Sequence, residues 1–209
     1  MNEVFSTTRI ATDVAILQAM TDRLNAYLER DRLHWPLVVE TPQGTARPTM
    51  SLGALLSLQT RLQAVADELT PEQRALLARS QAELERARRW YPDAYRDHAL
   101  KEMHGLLHTW RWFVEDCLAD PERGRDHYAA DVRARVTLQL LLDHLGIDAV
   151  PADLIEEIQA VDRMLGLSFA KGEFIWDPRL APAFPPDRFW WLYGQPLVSH
   201  ARAGGAGSG

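Results

Sequence analysis

The chain has 209 residues, enough for one domain or one domain with an appendage. Apolar residues make up 46% of it and charged residues 25%, which excludes global disorder, a collagen-like repeat and a disulfide scaffold. The net charge of −6 argues against binding that lives off phosphate attraction, so no nucleic-acid partner is expected.

A single cysteine, Cys117, removes any intrachain disulfide and any multi-cysteine metal site. No apolar run approaches the ~18–20 residues of a spanning helix; Leu138 to Leu142 is stopped at once by Asp143 and His144. Met1 to Ile10 lacks a basic start followed by an apolar stretch, so no secretory signal is expected and the cytoplasm is the expected compartment.

Apolar residues three and four apart share one face of a helix, because each residue advances the wheel by about 100°. The first such segment runs from about Thr8 to Leu33, with Ile10, Val14, Leu17, Leu24 and Leu28 in register. Between it and the next, Leu37 to Thr45 can form a short hairpin near 37–47, with Pro42 and Gly44 placed as a turn requires. The second helix opens near Ser51 and carries Leu55, Leu58, Leu62, Val65 and Leu69. Thr70-Pro71-Glu72-Gln73 then reads as a capping box that restarts the chain as a third helix, with Leu77, Ser80, Leu84, Ala87 and Tyr91 on one stripe.

Pro92 interrupts that stripe, and Asp93 is placed to cap a fourth helix carrying Ala99, Met103, Leu106, Trp110, Phe113 and Cys117. Pro121 and Gly124 break the chain again. The fifth helix, about Asp126 to Leu145, is apolar on two sides: Val132, Val136 and Leu140 against Ala134, Leu138, Leu141 and Leu145. A helix of that kind belongs between two packing partners. The sixth, about Pro151 to Leu165, carries Leu154, Ile158, Val161 and Leu165, with Gly166 as its expected C-cap. The predicted fold is all-α: an antiparallel bundle of five to six helices over residues 1–165, an aromatic segment over 166–196 packed on it, and a flexible glycine-rich tail over 197–209.

Residues 166–196 hold Phe169, Phe174, Trp176, Phe184, Phe189, Trp190, Trp191 and Tyr193, punctuated by five prolines that exclude long regular structure. Asp187 can cap one short helix through Phe189, Trp190 and Tyr193. Two readings stand side by side. The segment is a strap whose rings fill grooves between helices, or Trp176, Phe189, Trp190, Trp191 and Tyr193 form a partner surface, since tryptophan and tyrosine dominate binding hot spots. Adjacent Trp190 and Trp191 cannot point the same way, so at least one is expected to face away from the groove its neighbour fills.

The densest run of chemically useful side chains is Asp97 to His108. His104 and His108 have the i,i+4 spacing of a zinc helix, as have His98 and Glu102. The wheel turns His104 and His108 away from the stripe of Met103 and Trp110, among Asp97, Lys101, Arg111 and Glu115 on a solvated face, whereas His98 and Glu102 lie nearer a neighbouring helix. A metal-dependent bundle enzyme using Asp97, His98, Glu102, His104 or His108 is one alternative, although no metal or cofactor is expected. Asp97-His98-x-x-x-Glu102-Met103-x-x-Leu106 resembles the DHxxxEL stretch of TorD-like chaperones, all-helical proteins that escort molybdoenzyme precursors. The likeness covers about ten residues and implies client recognition by Asp97 and His98.

No nucleophile is set in a catalytic turn: Cys117 lies on a core stripe, and no glycine-rich phosphate loop is present. Glu115-Asp116 and Glu156-Glu157 point to different sides of their helices. Arg86, Arg88 and Arg89 have Glu83 and Glu85 beside them, as on a solvated face. Arg135, Gln139 and Asp143 form one row of the two-sided fifth helix, and a buried charge there must be paired. No catalytic residue is assigned. The leading expectation is a non-catalytic helical protein that binds a protein partner or itself.

Overall fold

A computed structural model describes residues 10–197 of the chain. The expected helix start at Thr8 and the tail from residue 198 onward lie outside the described residues. The fold is all-α, with six α-helices and three two-stranded antiparallel sheets among the described residues. Helix α1 (Ile10–Leu28) buries Leu17, Leu24, Tyr27 and Leu28. It stops five residues short of the expected Leu33, where the chain turns back and the Tyr27 hydroxyl donates to the Leu33 carbonyl at 2.9 Å. Short strands β1 (Trp35–Pro36) and β4 (Thr49–Met50) pair at the base of the expected hairpin, which is β2 (Val39–Thr41) against β3 (Gly44–Ala46). Gly44 supplies the positive φ of 111° that closes its turn.

Helix α2 (Leu52–Ala64) is capped by Ser51, whose side chain accepts from the Ala54 amide. It ends at Ala64, before the expected Leu69, and a 3-10 turn over Ala66–Glu68 leads to the extended Thr70 that caps the next helix; the intervening turn still buries Val65 and Leu69. Helix α3 (Pro71–Trp90) begins with the complete Thr70–Gln73 capping box.

Helix α4 (Pro92–Ala119) starts with Pro92 in its first turn and without a side-chain cap, so Asp93 lies inside the helix and is not its cap. Helix α5 (Pro121–Leu145) likewise begins at a proline, five residues before the expected Asp126, with Asp120 accepting from the Arg123 amide. Both prolines sit where a missing N–H costs nothing. Gly124 breaks no helix. It lets the start of α5 press on the end of α4, since a Cβ there would stand 2.5 Å from the Cys117 sulfur. Helix α6 (Ala152–Gly166) buries Leu154, Ile158, Val161 and Leu165, and Leu167 rather than Gly166 is its C-cap.

The two-sided α5 is central: it packs on α4 and α2 and carries the carboxyl-terminal segment. That segment is more ordered than its prolines suggest. Strand β5 (Phe169–Phe174) pairs with β6 (Tyr193–Pro196), and 3-10 turns at Pro178–Ala183 and Trp190–Leu192 lie between them. The helix expected from Asp187 is reduced to the second of these turns, which has no side-chain cap. One continuous apolar core includes residues of all six helices and of the segment.

Candidate functional site

Helix α4 divides its chemically useful residues between inside and outside. Asp97, His104 and His108 are exposed, whereas His98 and Glu102 are buried. His98 Nδ1 lies 2.8 Å from the Ala94 carbonyl. A carbonyl only accepts, so Nδ1 carries the proton and donates. The imidazole meets the edge of the Tyr27 ring, with centroids 4.8 Å apart. Glu102 reaches the start of α2, where Oε1 accepts from the Ser51 hydroxyl at 2.6 Å and Oε2 from the Gly53 amide at 3.0 Å. Gly53 permits this contact, as a Cβ there would stand 2.5 Å from Glu102 Oε1. The carboxylate therefore satisfies a helix N-terminus. Burial raises its pKa above the ordinary value, and the Ser51 and Gly53 bonds pull in the opposite direction.

The pair proposed from the TorD-like stretch is thus separated: Asp97 faces solvent and His98 faces Tyr27. The zinc spacing of His104 and His108 is present on the outer face, and among the described residues no three histidine, cysteine or acidic side chains gather into a metal-holding group. Burial pushes the Cys117 thiol up to about 12, so it is protonated at neutral pH and is no ready nucleophile.

The row Arg135, Gln139 and Asp143 is a connected network that runs from the buried Arg135 through the half-buried Gln139 to the exposed Asp143. Arg135 donates to Asp162 through Nε at 2.9 Å and Nη2 at 2.8 Å, and to Gln139 Oε1 at 3.1 Å. Gln139 donates to Asp143 at 2.8 Å, and Asp143 pairs with Arg188 of the segment. The Arg135 guanidinium also lies 3.8 Å from the Trp191 ring centre. Sequence reading missed Asp162, the partner that makes the buried arginine tenable. The available signal was Trp110, a core-stripe indole whose N–H needs an acceptor; it donates to Asp162 at 3.1 Å.

Two further bonds between α5 and the aromatic segment hold that segment down. Tyr128 donates to the Trp191 carbonyl at 2.6 Å, and Trp176 donates to the Ala129 carbonyl at 2.9 Å. Trp176, Phe189 and Trp191 are buried, which corrects the reading of these three as a partner surface: their rings fill the groove beside α5. Trp190 and Tyr193 are half-buried, Trp190 against Phe169 and Tyr193 with its hydroxyl on the Phe184 carbonyl.

Large apolar side chains do reach solvent elsewhere. On α4, Trp112 is 58% exposed. Lys101, His104, Gly105, His108, Trp112 and Glu115 are all exposed and fall within a sector of about 100° on the wheel. Gly105 has nothing within 4 Å of an added Cβ. Glycine in an exposed helix interior costs about 1 kcal/mol relative to alanine, and no contact among the described residues accounts for it here. No family model, curated protein or solved structure matches this chain.

Proposed function

We propose that this protein acts by non-catalytic binding of another protein chain through the outer face of α4, and that the first chain it docks is a second copy of itself. The carrying observation is Trp112, an indole held in solvent on a rigid 28-residue helix. Two α4 helices laid antiparallel about a twofold axis near His108 bring each Trp112 over the His104–Gly105 step of the other. The same register sets Lys101 opposite Glu115 twice, so the charges are complementary. Lys101 gives up little to join it, because its bond to Asp31 at 3.0 Å is exposed on both sides.

Covering the exposed part of each indole is worth about 3 kcal/mol, and symmetry doubles it. Association costs about 4–15 kcal/mol in lost freedom, so the pairing is weak and reversible. Sedimentation equilibrium over a concentration series tests it. The wild type should show a monomer–dimer equilibrium, Trp112→Ala should remain monomeric, and Lys101→Glu or Glu115→Lys should each weaken pairing while the double reversal restores it. A wild type that stays monomeric throughout, or a Trp112→Ala variant that pairs as well as wild type, refutes the assignment.

A further inference from the structure

A half-open cavity of about 350 Å³ lies between α1, α2, α5 and the aromatic segment, separate from the α4 face. That volume is in the range of small-molecule sites, about 300–1,000 Å³. Its walls are apolar: Met20 from α1, Leu58 from α2, Val136 from α5, and Trp176 and Phe184 from the segment. Besides Asp13 of α1 and Thr49 of β4, its polar lining comprises two i,i+4 pairs, Ser57 with Arg61 on α2 and Arg133 with Thr137 on α5. Residues four apart share a helical face, so two helices each turn a guanidinium and a hydroxyl toward the same space.

The charges there do not cancel. Arg61 pairs with Asp13 at 2.8 Å. Arg133 is exposed, its Nε donates to the Ala130 carbonyl at 2.8 Å, and among the described residues no carboxylate stands within ion-pair distance of it. Among the described residues that line the cavity, two guanidinium groups and one carboxylate leave a net positive charge, with Asp131, two residues before Arg133 on α5, the nearby carboxylate that acts on it from outside the lining. The Ser57 and Thr137 hydroxyls lie 3.2 Å apart. Their mutual bond uses one of their two protons and leaves the other for a guest.

The geometry points to a binding site for a small amphipathic monocarboxylate, its apolar or aromatic body against Met20, Leu58, Val136, Trp176 and Phe184 and its carboxylate on Arg133. A guanidinium and a carboxylate match in planar, forked geometry. The apolar walls supply most of the affinity, and the charge at the mouth selects the acid over an uncharged analogue of equal length.

Isothermal titration of the full chain with octanoate and 3-phenylpropionate, with 1-octanol as the uncharged comparison, tests the site. At least one acid should bind saturably and at least tenfold more tightly than the alcohol. Arg133→Gln changes an exposed side chain and so keeps the fold; it should abolish that preference and leave alcohol binding within twofold. Thr49→Trp, an exposed change at the rim, should block all three compounds. Absence of saturable binding by both acids, equal affinity for acid and alcohol, or an Arg133→Gln variant that retains the preference overturns the assignment. None of these readouts depends on self-association, so failure here leaves the α4 reading to its own test.

Discussion

Replacing Arg135 with methionine is the most informative perturbation of the interior. Arg135 is 4% exposed and holds both oxygens of Asp162. Methionine fills much of the volume but leaves Asp162 with the Trp110 indole at 3.1 Å as its remaining donor in the network. Breaking a buried pair from one side costs about 3–5 kcal/mol, because the surviving charge is uncompensated. Losing the guanidinium over Trp191 adds up to about 2 kcal/mol. Total stabilities of single domains are about 5–15 kcal/mol, so the variant should lose a large share of its stability, read as a much lower urea midpoint.

The double variant Arg135→Met, Asp162→Leu separates charge from packing. It removes both charges together and leaves the Trp110 N–H orphaned, a cost of about 1–3 kcal/mol. It should therefore be more stable than Arg135→Met alone. Urea unfolding followed by circular dichroism reads all the midpoints, with Asp162→Leu closing the cycle. An Arg135→Met cost under about 1 kcal/mol, or a double cost equal to the sum of the singles, would refute the account of this network.

Four further variants test other contacts of the fold. Tyr128→Phe leaves the Trp191 carbonyl without its 2.6 Å donor and should cost about 1–3 kcal/mol in urea unfolding, with faster hydrogen exchange along the segment. Burial holds Glu102 above its ordinary 4.5 and His144 below its ordinary 6.5, with opposite signs. The native state retains the Glu102 proton longer than the unfolded chain does, so stability falls as pH rises from 4.5 through the native value; it resists the His144 proton, so stability also falls as pH drops below 6.5. Glu102→Gln should remove the first slope and keep the second in unfolding measured from acid to neutral pH. Gly124→Ala places a Cβ 2.5 Å from the Cys117 sulfur and 2.8 Å from its Cα, and should cost about 1–3 kcal/mol; Gly105→Ala meets nothing and should gain about 0.5–1 kcal/mol in the monomer.

The helices were legible because their cores obey a local rule. Leu154, Ile158, Val161 and Leu165 need only their own spacing to declare a buried face, and Thr70 to Gln73 carries its cap within four residues. Helix starts at Pro92 and Pro121 were misread because the same residue ends a helix from within and opens one at its first turn. The β5–β6 ladder escaped because Phe169 to Phe174 has no clean alternation and its partner strand, containing Pro196, begins nearly twenty positions later. Distance in sequence also hid Asp162 and the cavity. Ser57, Arg61, Arg133 and Thr137 look like ordinary polar positions until α2 and α5 are side by side.

Aromatic density misleads about binding for a related reason: a tryptophan's role depends on where its helix points it, and two positions suffice to reverse that. Trp110 and Trp112 lie about 200° apart on α4. Trp110 is fully buried, stacked on Phe113 at 5.8 Å with its N–H on Asp162, whereas Trp112 stands in solvent. The segment's Trp176 resembles the first case, with a covered ring and an indole N–H on a helix carbonyl. Alanine at Trp110 should therefore cost about 3–5 kcal/mol of folding stability, while alanine at Trp112 should leave monomer stability within about 0.5 kcal/mol and be felt in association. Unfolding of dilute protein measures the first quantity and sedimentation the second. A Trp112→Ala variant that unfolds much earlier than wild type under dilute conditions would make that indole part of the core and remove the outer face of α4 as a docking surface.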